Sequence, residues 1–200
     1  MNMYNIILAS GSPRRKEILE QVGIPFTVQA SNKEEVITEN EPVNIVKVLA
    51  SMKANDVAEN AKIHDVIIGC DTIVAYNNQI MGKPKNEEDA KLMLQLLQDD
   101  VHEVFTGVSI IIKMAAEDGS ICDKEINFAV ETKVYVNAMS EEQIEAYVAT
   151  KEPMDKAGAY AVQGRFAVHI KKLDGDYYNV VGLPISRLYD VLLEEGVLAN

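Results

Sequence analysis

Ser12-Pro13-Arg14-Arg15-Lys16 sets three cations directly behind a serine and a proline. Serine suits a helix N-cap and proline the first helical position, so a helix starts here. A helix N-terminus offers unpaired N–H groups and the positive end of the macrodipole, and it favours acidic side chains and anions. Three cations in that turn oppose helix stability. They suit a polyanion, phosphate above all.

A second candidate is Gly69-Cys70-Asp71-Thr72, which follows the apolar run Val66–Ile68. A carboxylate at the C-terminal end of a buried strand in an open sheet is where ligands commonly bind. Such an Asp71 can hold Mg²⁺ or take a proton from water, or simply satisfy the N–H groups of a turn. Gly82-Lys83-Pro84-Lys85 adds two lysines, ordinary point-charge partners for phosphate, but the glycine-rich run of a Walker loop is missing. Glu152-Pro153-Met154-Asp155-Lys156-Ala157-Gly158-Ala159-Tyr160 and Gln163-Gly164-Arg165 place single charges among glycines that permit close backbone approach. His64, His102 and His169 lack metal-ligand spacing and read as surface or strand residues. Ser12 is preceded by Gly11 but lacks the G-x-S-x-G pattern of a nucleophile elbow.

These groups need a scaffold, and 200 residues with 48% hydrophobic content can supply one domain, or two small lobes, with a proper core. A net charge of −12 argues against general binding to nucleic acid or an anionic membrane, which makes local cation clusters more telling. Cys70 and Cys122 form neither a disulfide framework nor a zinc pattern, so a reducing cytoplasm is the expected compartment. The N-terminal apolar run is too short for a signal-peptide core or a membrane span.

The patterning predicts strands over Asn5–Ala9 and Phe26–Gln29 and helices over Pro13–Val22 and Pro42–Ala58. Val66–Cys70 reads as a central buried strand, and Ile73–Tyr76 with Gln79–Met81 as a hairpin turning at Asn77-Asn78. Asn86 caps a helix through Leu97, and Ser140-Glu141-Glu142-Gln143 is a capping box opening a helix to about Thr150. Val104–Met114 and Ile126–Asn137 read as long strands around the polar turn Glu117–Ser120. Ala167–Lys172 and Tyr177–Val180 read as two more, meeting at Asp174-Gly175, before a closing helix from Pro184. Interleaved helices and strands define an α/β class with a mixed, twisted sheet and flanking helices.

Together these segments resemble the Maf family of nucleotide pyrophosphatases, relatives of the inosine-triphosphate pyrophosphatase (Ham1) fold. The likeness runs in order through Ala9–Arg15, Gly69–Thr72, Gly82–Pro84, Thr106-Gly107-Val108, Glu152–Tyr160, Gln163-Gly164 and Gly175–Pro184. It implies one domain with a cleft between two lobes. The implied activity is hydrolysis of nucleoside triphosphates to monophosphate and pyrophosphate with a divalent metal, Mg²⁺, Mn²⁺ or Co²⁺. Asp71 is then the proton acceptor, and Arg14, Thr72 and Gln163 are markers for dTTP and UTP; the Gln163 amide can flip to suit cytosine, so CTP is expected as a weaker substrate. Ser10, Ser12, Arg15, Lys53, Lys83 and Lys156 fall on substrate-binding positions; Glu35, Asp71 and Asp155 are the candidate metal ligands. The resemblance also implies a homodimer and a link to arrest of septum formation. Cys70 departs from the family's usual alanine, Ala161-Val162 from Gly-Ile, and Phe166 from a small residue.

The chemistry agrees with the residue types. Attack of water at the α-phosphorus needs cations for the triphosphate, a metal to offset charge and a base. Two other readings use the same parts: a phosphatase releasing orthophosphate, or a nucleotide sensor without turnover. The haloacid-dehalogenase-type phosphatase pattern wants a second Asp two residues after the first, where this chain has Ile73.

Overall fold

In the computed structural model, which describes residues 4–37 and 39–199, the chain begins with β1 (Asn5–Leu8), α1 (Pro13–Gln21) and β2 (Thr27–Val28). Next come α2 (Pro42–Ala58), β3 (Asp65–Tyr76), β4 (Gln79–Met81) and α3 (Glu87–Leu97). A long hairpin of β5 (Val101–Ala115) and β6 (Ile121–Val136) leads to α4 (Glu141–Ala149). Three 3₁₀ turns follow, Glu152–Asp155, Ala157–Ala159 and Arg165–His169, and then β7 (Ile170–Asp174), α5 (Tyr177–Val181) and α6 (Ile185–Glu194).

The strands form one mixed sheet in the order β2-β1-β3-β5-β6-β7, with β4 attached to β3. β2, β1 and β3 run parallel, and the remaining pairings are antiparallel. The crossover β1–α1–β2 moves outward along the sheet and β2–α2–β3 moves back. Right-handed crossovers in opposite directions put their helices on opposite faces. Accordingly α1 and α6 pack Ile18, Leu19, Leu188 and Leu192 over Val66, Ile68, Val108 and Ile110. α2 covers the other face, with Ala54 and Val57 on Ile67 and Ile111, and Val46 and Leu49 on Ile73. Farther along the first face, α3 and α4 bring Leu94, Leu97, Ile144 and Val148 onto Val104, Val134 and Val136. The α1/α6 and α3/α4 groups are the two lobes, and the cleft opens between them.

Where β3 passes that cleft, one of its edges is bare. β5 pairs with it from Val66 to Ala75. On the other side β1 takes Asp65–Ile68 and β4 takes Val74–Tyr76. Gly69–Ile73 have no strand on that side among the described residues. The sequence suggests that the strand stops at Cys70, because a polar pair interrupts the apolar run. Instead the backbone continues in register with β5, Asp71 opposite Gly107 and Thr72 opposite Thr106. Asp71 therefore lies mid-strand, three residues beyond the last β1 pairing at Ile68.

α2 lies on this part of the sheet at backbone distance. A Cβ on Gly107 would sit 2.2 Å from the Val46 carbonyl oxygen, and one on Gly69 2.2 Å from that of Ala50.

Two expected strands are corrected. Tyr177–Val180 is not a strand but most of α5, and Ala167–Lys172 is a 3₁₀ turn running into β7. Aromatic and β-branched residues suggest a strand locally, but tertiary contacts override that preference. Asp176 caps α5 by accepting from the Tyr178 N–H (2.7 Å). The buried Asn179 amide donates to the Val104 carbonyl and to Thr132 Oγ1, both at 2.9 Å, which fastens the turn to β5 and β6.

His102 on β5 is wholly buried, with Nε2 2.8 Å from the Tyr160 hydroxyl. Burial pushes its pKa from the ordinary 6.5 down to about 4. Only an unfolded chain takes up that proton in this window. Stability from the neutral ring is therefore complete above the ordinary pKa and is lost as pH falls through the folded one. The effect amounts to up to roughly 3 kcal/mol.

Two predictions follow from this packing. Gly107→Ala should lose about 1–3 kcal/mol, the range for overpacking against a backbone that cannot yield, in a denaturant melt. Between pH 6.5 and 4 the wild type should lose more stability than His102→Gln; parallel melting curves would show that His102 carries no such linkage.

Candidate active site

The cleft contains a cavity of about 600 Å³ whose lining includes Ser12, Arg14, Arg15, Glu35, Lys53, Asp71, Thr72, Lys83, Asp155, Lys156 and Gln163. Eleven of the twelve residues singled out by sequence thus meet in one place. Ser10 is not on that lining. It is buried behind it, where its Oγ accepts from Arg15 Nη1 (2.9 Å) and from the Ser12 N–H (3.3 Å). Five cations face three carboxylates here, a local positive surplus in a chain of net charge −12.

Strand alternation divides the neighbours Asp71 and Thr72. Asp71 shares the α2 face of β3, where Lys53 reaches it from the helix: Lys53 Nζ is 2.6 Å from Asp71 Oδ1 and 2.7 Å from Glu35 Oε1. One ammonium thus bridges a strand carboxylate and the 29–41 loop. Burial pushes the Asp71 carboxyl above its ordinary value, while Lys53 and, more weakly, Arg15 pull it down. A carboxyl poised in this way is suited to exchange a proton with water.

Thr72 faces the other way, toward α1 and α5. Arg15 is buried, and its guanidinium is already engaged. Nε donates to the Gly182 carbonyl (2.8 Å), Nη1 to Ser10 Oγ (2.9 Å) and Nη2 to Thr72 Oγ1 (3.1 Å). Arg15 therefore ties α1, β3 and the end of α5 together, with its remaining N–H groups left for the cavity it lines.

The expected trio of metal ligands does not assemble. The Asp155 carboxylate pairs with Lys156, which holds its pKa below the ordinary value, helped more weakly by Arg14. Among the described residues no group of three or more His, Cys, Asp or Glu side chains converges. Glu35 and Asp71, already drawn together by one cation, are the fitting pair. Hard oxygen donors in that number match Mg²⁺, which needs only one or two carboxylates and fills its shell with water and phosphate. Cys70 is buried beneath the site, and burial pushes its thiol up to about 11, so it stays protonated and unreactive at neutral pH.

Sequence reasoning left three positioning groups without a role. Thr106 and Asn179 anchor Thr72 from below, and Thr106 is marked in the sequence only by its place beside Gly107. Glu152 braces the turn bearing Gln163, accepting from the Arg165 N–H and the Tyr147 hydroxyl, both at 3.0 Å. A Cβ on Gly164 would lie 2.1 Å from that carboxylate, so a larger residue there would push the Glu152 side chain out of its brace. The cavity lining also includes apolar side chains, Leu49, Ile73, Ile80, Met81 and Val162.

The fold and cavity define an α/β protein with an anion-attracting cleft. The chain belongs to the Maf family: the family model, described as Maf-like protein, matches residues 5–195. The dTTP/UTP pyrophosphatase of Lachnoclostridium phytofermentans is 57% identical over 195 residues, covering 98% of this chain and 97% of that one. Those of Agathobacter rectalis and Bacillus cereus are 47% and 52% identical, over 98% and 94% of this chain and 99% and 88% of theirs. A HAM1 protein from Coxiella burnetii is a looser structural match, 15% identical with a TM-score of 0.47, covering 96% of this chain and 99% of that one.

The geometry around Asp71 predicts opposite shifts from two neutral replacements. Lys53→Met should raise the Asp71 pKa further and Glu35→Gln should lower it, followed by carboxyl ¹³C shifts in an NMR pH titration. Shifts of the same sign in both variants would contradict the bridged arrangement.

Proposed function

We propose that the chain is a metal-dependent nucleoside triphosphate pyrophosphatase acting on dTTP and UTP and releasing the monophosphate and pyrophosphate. The observation that carries this reading is the combination of side chains that line one cavity. Five cations, a buried carboxyl held by an ammonium and several apolar side chains share it. Its volume of about 600 Å³ suits a nucleotide-sized ligand. The names of the curated relatives support the same substrates. The net charge of −12 favours a small substrate over a nucleic acid. Among the described residues no helix is long and apolar enough to cross a membrane.

In this mechanism Arg14, Lys83 and Lys156 bind the triphosphate and hold its α-phosphorus toward Asp71. Asp71 accepts a proton from water while the water oxygen bonds to that phosphorus. The bond to the bridging oxygen then breaks and pyrophosphate leaves with the electron pair. Lys53 keeps Asp71 ionised and oriented, and Glu35 steadies Lys53. A divalent ion held by Glu35 and Asp71 supplies charge neutralisation for the polyphosphate when bound. Gln163, on the turn braced by Glu152, faces the base with one acceptor and two donors.

Product analysis on a nucleotide panel tests the proposal. Pyrophosphate and monophosphate should appear together from dTTP and UTP, and a chelator should abolish turnover. Orthophosphate as first product would make the protein a phosphatase, and no product would leave a sensor. Asp71→Asn should lose on the order of 10²–10⁴ in turnover, the range for a general base, while still binding nucleotide. Near-native turnover of that variant would place the base elsewhere.

A further inference from the structure

Thr72 would be expected to turn its hydroxyl to suit any ligand, but its hydrogen bonds leave it no such freedom. Arg15 Nη2, which can only donate, lies 3.1 Å from Thr72 Oγ1. Thr72 Oγ1 lies 2.9 Å from Thr106 Oγ1, and Thr106 Oγ1 lies 2.9 Å from the Asn179 carbonyl, which can only accept. Thr106 is wholly buried and has a single proton for these two contacts. Given to Asn179, that proton leaves Thr106 to accept from Thr72, and all three contacts are satisfied. Given to Thr72, it would leave the Thr106 and Asn179 oxygens facing each other lone pair to lone pair at 2.9 Å and leave the Thr72 proton only the long 3.5 Å contact to the Gly182 carbonyl. The first arrangement is therefore the one adopted, and in it the Thr72 proton is committed to Thr106 and is not spared for the cavity.

We infer that the chain Arg15 → Thr72 → Thr106 → Asn179 carbonyl fixes Thr72 as an acceptor toward the ligand, which makes it a reader of the N3–H of uracil and thymine. The inference rests on the pyrimidine nucleotide reading above. Phosphate oxygens offer acceptors and no proton at neutral pH, so an acceptor-only hydroxyl on the cavity wall has no use for the triphosphate. A nucleoside offers it a sugar hydroxyl or a base N–H. N3–H is the ring donor that uracil and thymine share, and cytosine presents a lone pair there instead. Thr106 is thereby a positioning residue for specificity, acting through Thr72 from the facing position on β5. A group built to accept rejects a ligand that brings a second lone pair, because both are left unpaired.

The experiment compares kcat/KM for UTP, CTP, N3-methyl-UTP and 3′-deoxy-UTP in the wild type, Thr106→Val and Thr106→Ser, with melting temperatures as a check on folding. The wild type should lose at least about tenfold on N3-methylation and little on removal of the 3′-hydroxyl. Thr106→Val frees the Thr72 proton, so the UTP-to-CTP ratio should collapse by about tenfold, with CTP gaining as UTP loses. Thr106→Ser, which keeps the hydroxyl, should restore the ratio. A merely structural role would lower all substrates together. Should Thr106→Val fail to fold, the wild-type comparison of UTP with N3-methyl-UTP decides by itself. Equal use of those two nucleotides, or an unchanged ratio in a folded Thr106→Val, overturns the polarity assignment while the pyrophosphatase reading stands. Sensitivity to the 3′-hydroxyl alone assigns Thr72 to the sugar and overturns the base reading. No turnover of any nucleotide by the wild type overturns both.

Discussion

A guanidinium buried without a carboxylate in its hydrogen-bond shell underlies the floor of this cavity. Placing a full charge in the interior is costly unless its donors are satisfied. Arg15 meets that requirement with neutral oxygens from Ser10, Thr72 and Gly182. Three segments far apart in sequence must therefore converge on one planar fork. The arrangement fixes where β1 ends, how Thr72 is held and where the turn after α5 returns. Lysine could not replace it, since a single ammonium lacks the flat, divergent donors that reach three acceptors. The positive field of Arg15 also acts on Asp71 across the strand, easing its ionisation.

The bare edge of β3 is the second constraint. A strand fully paired on both sides would bury its backbone and aim its side chains into closed cores. Here the pairing of β3 with β1 ends at Ile68 and its pairing with β4 begins at Val74, so Asp71 and Thr72 border the open cleft although they point to opposite faces. Alternation then separates their tasks. The α2 face handles charge through Lys53 and Glu35, and the α1/α5 face handles hydrogen-bond polarity through Arg15 and Thr106. Gly69 and Gly107 make this possible by letting α2 approach near enough for Lys53 to reach Asp71.

Much of this was legible in the sequence because it is local. Pro13, Pro42, Asn86 and the Ser140 capping box each mark a helix start in residue type alone, and the structure has helices at all four. The cations at Arg14 and Arg15 stand out since they oppose the local dipole. The α5 turn was misread because Tyr177-Tyr178-Asn179-Val180 has strand-like residues. Its conformation is set by Asn179 and Thr132, which are distant in sequence. Glu152 was equally silent: its partners are the Arg165 backbone and Tyr147, contacts with no sequence pattern.

By itself, then, the sequence determined the class of fold, the inventory of charges and the segments that bear them, because propensity, capping and apolar spacing act over a few residues. Only the tertiary structure decided the allocation of work among those charges. Arg15 is drawn inward as a strut, Ser10 goes behind the wall, Asp155 is neutralised by Lys156, and Lys53 joins Glu35 to Asp71. Each outcome depends on which partner lies within about 3 Å, the range of a hydrogen bond. That distance is set by strand register and helix approach across the whole sheet.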